Sequence, residues 1–386
     1  MKRNIRIFLL AGEISGDYYL SRIMSAFSRQ AAEVTYAGIG GDAMLAEGLN
    51  PLRHIRQIEV FGFAAALKRY PYLKRLFRTA VDELDVNRPD LVVLSDYSGF
   101  NLPFAAEARK RDIPVAYFVS PQVWASRPGR VEKIKASVDE MVVLFPFEVP
   151  FYAERGKKVH FLGHPLEKNT REKPPKNTVS GLTGLDENKK WLTLMPGSRA
   201  SEIRNNLPLM LETAAILRKE YPDTETVICL DKSADENALR EKFLTDYPDV
   251  KIARGVHQEV CFHSFFTLVC SGTACLETAL LGCPSVIVYK TNRMSLLIAR
   301  LLKIHTIGMP NILLKEKVIP EVLSATLTPP ELAAAALNIL KNPAELDKQK
   351  EASRKLHQIL KGDEVYEKAA DLFLKLIEPE IINSDD

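Results

Sequence analysis

Two segments in the later part of the chain combine residue types suited to holding an anion. Met195-Pro196-Gly197-Ser198-Arg199 follows an apolar run, and helical periodicity begins near Glu202, with Leu207, Met210 and Leu211 on the inner side. Glycine lets backbone approach a ligand closely, a helix N-terminus offers N–H groups to an anion, and arginine adds a fork of donors matched to phosphate oxygens. A turn with a surface arginine is the competing explanation. Cys270-Ser271-Gly272-Thr273-Ala274-Cys275-Leu276-Glu277 repeats the arrangement, with Ser271, Gly272 and Thr273 at the start of a helix and Glu277 one turn further on. Two phosphate-ready helix starts in one domain suggest a diphosphate, as in a nucleotide sugar, and Glu277 is placed to accept ribose hydroxyls. The alternative, that Ser271 or Thr273 simply caps its helix, uses the same amides.

Proton transfer points to an earlier loop. Asp96 ends the apolar run Leu91–Leu94 and opens Asp96-Tyr97-Ser98-Gly99-Phe100-Asn101. A carboxylate at the carboxyl end of a strand is where a general base sits, although an aspartate there also caps helices. Ala11-Gly12-Glu13-Ile14-Ser15-Gly16-Asp17 is a second strand-to-helix loop, whose acids disfavour phosphate and favour a hydroxyl-rich ligand. Gly38-Ile39-Gly40-Gly41-Asp42-Ala43 fits a loose dinucleotide pattern with Glu59 downstream, but it follows a second strand and reads as a tight glycine turn. Ser120-Pro121-Gln122-Val123-Trp124 follows another strand ahead of the basic run Arg127, Arg130, Lys133 and Lys135, while Gly308 to Asn311 forms a further loop. His164 in Gly163-His164-Pro165 is read as structural. No D-x-D acidic pair occurs, so helix dipoles and Arg199 would take a leaving-group charge that other enzymes give to a divalent ion.

The elements that must position these residues alternate between short apolar runs and helix-period segments. Ile5–Leu10 is followed by the stripe Leu20, Ile23, Met24 and Phe27, then by strands at Val34–Ala37, Leu91–Leu94, Val115–Val119, Glu140–Leu144 and Val159–Leu162. From Leu166 to Lys190 the texture turns polar around Pro174-Pro175, and a second alternating set begins at Trp191–Met195. This order predicts an α/β chain with two doubly wound Rossmann-like domains and mostly parallel sheets. The expected organisation is 1–168 for the first domain, 169–190 for a linker, 191–350 for the second domain, and 351–386 for terminal helices that pack back on the first.

Composition sets the remaining bounds. The chain has 386 residues, with Lys+Arg 52 against Asp+Glu 49, so no charge excess argues for nucleic acid. Hydrophobic residues at 46% exclude disordered and polytopic membrane readings. The five cysteines form no C-x-x-C pair, which argues against zinc and disulfides and for buried thiols in a reducing cytoplasm. The N-terminal apolar run meets Glu13 and Asp17 too early for a signal peptide and reads as a strand. Two segments, Phe61–Arg78 and Arg293–His305, join apolar faces to Lys and Arg edges, a pattern that suits an anionic membrane surface or an amphipathic helix packed on a core.

Taken together, these blocks resemble the lipid-A-disaccharide synthases, the bacterial family 19 glycosyltransferases. The resemblance rests on 11–17, 38–41, 96–101, Val119 to Ala125, Phe145-Pro146-Phe147-Glu148, 163–165, 194–199, 271–277 and Pro310-Asn311, in family order over roughly residues 5 to 325. It implies a GT-B fold with two domains facing a cleft, and transfer of diacylglucosamine from UDP to 2,3-diacylglucosamine 1-phosphate. It also implies Asp96 as base, Arg199, Ser271, Gly272, Thr273, Glu277 and Asn311 on UDP, and Ser15 and Asn101 on the acceptor side. No cofactor or metal is implied. The family is carried peripherally on the cytoplasmic face of the inner membrane, and an oligomer is compatible. Ser98 and Ser126 depart from the proline and tryptophan common in the family. The runners-up are another GT-B UDP-hexosamine transferase or epimerase, and an inactive lipid- or nucleotide-binding relative. A glycine-rich GGTGGH-like first loop is missing, which counts against a transferase of the peptidoglycan-precursor kind.

Overall fold

The computed structural model describes residues 4–31, 33–57, 63–126, 128–171, 173–232, 234–290, 306–324 and 326–377. The chain divides into two compact units, one formed by Met1–His164 with Gly362–Asp386 and the other by Pro165–Lys361. Among the described residues the first holds seven strands: β1 Ile5–Ala11, β2 Val34–Gly40, β3 Leu49–His54, β4 Leu91–Ser95, β5 Val115–Phe118, β6 Glu140–Val143 and β7 His160–Phe161. All pairings are parallel, in the order β3-β2-β1-β4-β5-β6-β7. The second unit holds β8 Lys190–Met195, β9 Thr224–Leu230, β10 Lys251–Arg254, β11 Ser264–Cys270, β12 Ser285–Lys290 and β13 Glu321–Ser324, parallel in the order β10-β9-β8-β11-β12-β13.

Both sheets are sandwiched by helices, which is why their inner strands read as unbroken apolar runs: all five residues of β4 and all four of β5 are buried. In the second unit Leu192, Leu194, Ile228, Leu268 and Val286 meet the inner faces of the helices Ala200–Glu220 and Pro329–Leu340 through Leu207, Met210 and Ala336. Each sheet reverses its winding once, between β1 and β4 in the first unit and between β8 and β11 in the second. Ligands of open α/β sheets bind beside such points.

The boundaries differ from the sequence expectation. Residues 169–190 belong to the second unit and include the helix Lys176–Thr183; there Trp191 donates its ring N–H to Asp186 O at 2.8 Å, and Lys176 Nζ lies 4.8 Å from that ring's centroid. A polar, proline-bearing stretch here covers a sheet edge with few apolar anchors. The terminal region also divides later than expected. The helix Pro343–Leu360 stays with the second unit, where Gln349 bonds both the N–H and the carbonyl of Ser285. Only from Gly362 does the chain join the first unit. A side chain at that glycine would overlap Leu162 O, and beyond it Glu367 pairs with Arg29 at 2.7 Å.

Candidate active site

The loops leaving β1 and β4 are built as a pair. Register sets Ala11 beside Ser95, so Gly12 and Asp96 leave the sheet side by side. A Cβ on Gly12 would overlap the Tyr97 side chain, and one on Gly16 would stand 2.6 Å from Asp96 Oδ2. These two glycines let the first loop close against the second. Asp96 and Tyr97 both adopt left-handed backbone, with φ of 53° and 35°. That conformation is costly for residues with a Cβ and persists only where surrounding contacts hold it.

The contacts that hold it are visible. Asn101 donates Nδ2–H to Ser95 O at 2.8 Å and to Asp96 O at 3.1 Å, and the Tyr117 hydroxyl donates to Asp96 O. Asn101, expected on the acceptor side, is fully buried. Its amide fastens the turn from behind, because a strained backbone needs its carbonyls bonded. Asp96 itself stands forward of that clamp. Burial, and after it the Glu13 carboxylate, pushes its carboxyl up to about 7, against a weak 3.5 Å bond from Ser95 Oγ. Ser15 is half-buried in the first turn of the helix Ile14–Gln30, three residues along the chain from Gly12.

Asp17, the other acid of the first loop, is buried and accepts from the backbone N–H groups of Gly41, Ala43 and Met44. It caps the short helix after β2. The glycine pattern at 38–41 has an equally local reason. Gly38 lies within β2 beside Leu9, where a Cβ would overlap Leu9 O, so this glycine sits inside a strand and not in a turn. At the end of β5, Val119 has φ 71°, and the next residue, Ser120, lies 2.6 Å from the Tyr152 hydroxyl. Glu148 is buried beside them with its carboxyl pushed up to about 7 by burial. His164 is buried and held neutral by desolvation, which lowers its pKa to about 3. It packs 5.4 Å from the Phe145 ring, in keeping with a structural role.

The switch point of the second unit is open. Met195 pairs with Val269, so the loops after β8 and β11 also leave together. Gly197, at φ 121°, turns the first of them toward the helix Ala200–Glu220, and Asn206 fixes it from below by donating to Pro196 O at 2.9 Å. Arg199 is exposed at the helix start. The Glu202 carboxylate accepts from Ser198 N and Arg199 N, each at 3.2 Å, and lies 3.1 Å from Arg199 Nη1.

Gly272, with φ 143°, caps the helix Thr273–Leu280 with no side-chain hydrogen bond, and no atom of the described residues lies where its Cβ would be. A simple side-chain cap by Ser271 or Thr273 is therefore not what this helix start uses. The exposed Thr273 begins the helix, and Ser271 Oγ donates to Ile307 O at 3.3 Å. Glu277 is buried, accepting from His257 Nε2 at 2.8 Å and from the Gln258 amide. Burial opposes charge on His257, but the Glu277, Glu259 and Asp231 carboxylates outweigh it and raise its pKa. Nothing in the spacing of His257 and Glu277, twenty residues apart, announces this pair.

Asn311, expected on UDP, bonds within its own loop. It is buried, its Oδ1 accepts from Val318 N and Ile319 N at 2.9 Å, and its Nδ2 donates to Ile319 O and Glu321 Oε1 at 2.7 Å. Glu321 in turn accepts from the N–H groups of Ile307 and Gly308. Asn311 thus shapes the loop from within. The basic-apolar segment at 293–305 lies outside the described residues, as does part of 61–78. In the described part of the latter, Leu76 is buried and Phe77 meets Phe100 at 5.3 Å, so these two residues belong to the core. All five cysteines are buried free thiols pushed up by desolvation.

Two doubly wound α/β units on one chain, each with its paired loops at the carboxyl edge, define the GT-B fold. Solved structures share it: the UDP co-structure of Staphylococcus aureus MnaA superposes with a TM-score of 0.65 at 11% identity, covering 99% of this chain and 98% of that one. The UDP-GlcNAc 2-epimerase from Neisseria meningitidis bound to UDP-GlcNAc gives 0.61 at 11%, covering 98% and 100%. At such identities the likeness concerns the fold alone.

Sequence comparison narrows the class. Residues 7–376 match the family described as Lipid-A-disaccharide synthetase. The lipid-A-disaccharide synthase of Geobacter metallireducens is 32% identical over 97% of this chain and 98% of its own, and that of Chromobacterium violaceum 35% identical over 94% and 95%. The chain belongs to the lipid-A-disaccharide synthase family.

Proposed function

We propose that this protein is an inverting glycosyltransferase that joins UDP-2,3-diacylglucosamine to 2,3-diacylglucosamine 1-phosphate. The products are the β-1,6-linked disaccharide 1-phosphate and UDP. The observation that carries the reading is Asp96, a carboxyl pushed up to about 7 at the first switch point on a turn clamped by Asn101 and Tyr117. A base of that strength is half ionised at neutral pH and still basic enough to take a proton from a hydroxyl as that hydroxyl attacks.

In this scheme Asp96 accepts the proton of the acceptor 6-hydroxyl, the freed oxygen pair forms the new bond to C1 of the donor sugar, and the bond from C1 to the UDP oxygen breaks with inversion. Negative charge moves onto the leaving diphosphate. Arg199 and the uncapped helix start at Gly272 and Thr273 are suited to receive it, with Ser271 beside them. Glu277, oriented by His257 and Gln258, retains lone pairs for ribose hydroxyls. Ser15 lines the acceptor side with Glu13.

Acyl chains on both substrates imply an enzyme that works at the cytoplasmic face of the inner membrane. No helix among the described residues is long and apolar enough to cross a membrane, and the proposed attachment is peripheral. The direct test is purified protein with both substrates in detergent, scoring the disaccharide by mass spectrometry. Product from wild type, and loss of about 10²–10⁴ in turnover for Asp96→Ala with UDP binding retained, is the expected result. No product at several acyl lengths, or Asp96→Ala activity within about tenfold of wild type, overturns it.

A further inference from the structure

The first switch point carries two acids, Glu13 and Asp96, in electrostatic reach of each other. A phosphorylated acceptor brought there needs a cation to offset them. Arg130, half-buried at the end of the 3-10 turn Pro128–Arg130, is fixed on this side: its Nη1 donates to Ser98 Oγ at 2.7 Å. Its charge also acts on the Tyr117 hydroxyl, the group that donates to Asp96 O. Ser98 opens the twelve-residue helix Ser98–Arg109, whose N-cap Tyr97 makes no side-chain cap and whose first turn has no acid. Gly99, the next residue, is exposed with open space at its Cβ position.

We infer that Arg130, held by Ser98, receives the phosphate monoester of the acceptor and so decides that the acceptor is a sugar 1-phosphate. The inference rests on the proposed reaction and adds the residue that recognises this group. Geometry supports it. Residues two apart along a chain stand about 5–7 Å apart, so Ser98 lies about one sugar ring from Asp96, the scale that separates a hexose 6-hydroxyl from a substituent on C1. A guanidinium fork suits a dianionic phosphate, and a positive helix end beside it adds to the attraction. The hydroxyl that Ser98 supplies is what anchors Arg130.

The experiment compares two acceptors, 2,3-diacylglucosamine 1-phosphate and the same sugar lacking phosphate, in neutral detergent micelles with and without phosphatidylglycerol. Wild type is expected to prefer the phosphorylated acceptor in kcat/KM by about tenfold to hundredfold, the range of one or two charged hydrogen bonds. Arg130→Ala should bring that ratio close to one with UDP affinity unchanged, Arg130→Lys should keep part of it, and Ser98→Ala should lower it by a smaller factor. Equal loss on both acceptors overturns the inference and leaves Arg130 a supporting residue. A loss that appears only with phosphatidylglycerol also overturns it, because the cation then reads a membrane headgroup. Should wild type form no disaccharide from either acceptor, the proposed reaction itself fails, a distinct outcome. Melting temperatures of the variants separate misfolding from lost recognition, and the Ser98→Ala and Arg130→Lys variants keep the question open to test if Arg130→Ala does not fold.

Discussion

At the first switch point Gly12 has no room for a methyl group, because Tyr97 fills the space where it would go. At the second, Gly272 faces open space. Both loops sit at the carboxyl edge of a parallel sheet where winding reverses, yet the Gly12 position is packed shut against a strained turn and the Gly272 position is open. In the proposed reaction the difference follows from what each would handle. A base has to be held at one place and kept partly out of water, so β1 and β4 deliver loops that lock together, with two left-handed residues fixed from behind by Asn101 and Tyr117. A diphosphate brings its own charge and bulk, so β8 and β11 deliver amides and a guanidinium with space above them. Rigid placement and open access are separate demands, and a two-unit chain can meet each on its own sheet.

The largest effect expected from this contrast is in pH. Because burial and Glu13 raise Asp96 to about 7, the ionised base is lost as pH falls through that value, and kcat/KM should drop about tenfold per unit below it. The sign for stability is opposite. A carboxyl whose folded pKa lies above its unfolded one binds more protons folded, so the fold loses stability as pH rises from about 4 to about 7. Asp96→Asn should therefore melt at a higher temperature than wild type at pH 8 and match it near pH 4, while being inactive at both. Activity that stays flat between pH 7 and 5 would remove Asp96 as the base.

The same substitution at the two glycines breaks the comparison more finely. Gly12→Ala pushes into Tyr97 and should displace the Asp96 turn, lowering turnover by well over tenfold and stability by about 1–3 kcal/mol. Gly272→Ala meets no described atom, so its cost is the extended positive-φ backbone that glycine alone adopts readily, about 1–3 kcal/mol, and it should weaken UDP binding with turnover at saturation little changed. Calorimetry with UDP beside steady-state turnover reads both. If Gly12→Ala alters UDP affinity and spares turnover, the division of labour is wrong. Arg199→Ala comes next, with UDP affinity about tenfold to hundredfold weaker, the worth of a charged hydrogen bond to phosphate.

How much of this was legible in the sequence divides along the same line. The apolar runs of β1, β4, β8 and β11 are continuous because both faces are covered, so the strands and the loops after them could be read directly. β3, Leu49–His54, could not: with Asn50, Pro51 and Arg53 exposed it is an edge strand with no apolar run. Within the site, residues that act through backbone amides or charge, such as Gly272 and Asp96, stood out by type and place. Asn101 and Asn311 were equally conspicuous, and the bonds both make run to their own loops' carbonyls and amides, a use of asparagine that residue type alone does not distinguish from binding a ligand. His257 and Gln258 left no trace, because their partner Glu277 is adjacent only after β10 and β11 have been placed in one sheet.

The smallest expected effect concerns Glu202, and it sharpens the picture of the open site. Its carboxylate bonds Ser198 N and Arg199 N and pairs with the Arg199 guanidinium, the groups suited to a leaving diphosphate. The helix thus carries its own anion where an external one is proposed to bind. A diphosphate would compete with that carboxylate, and a negative side chain so near opposes it. Glu202→Gln keeps a carbonyl for the amides while removing the charge, so UDP should bind a few-fold tighter, with the gain shrinking as salt screens the repulsion. The helix should lose a few tenths of a kcal/mol to about 1 kcal/mol from its start, where a carboxylate favours the dipole. Titration of UDP into both proteins at low and high salt decides the matter. Weaker binding by the variant at both salts would mean that Glu202 shapes the loop for the nucleotide, and that the amides at Ser198 and Arg199 take no part in holding the diphosphate.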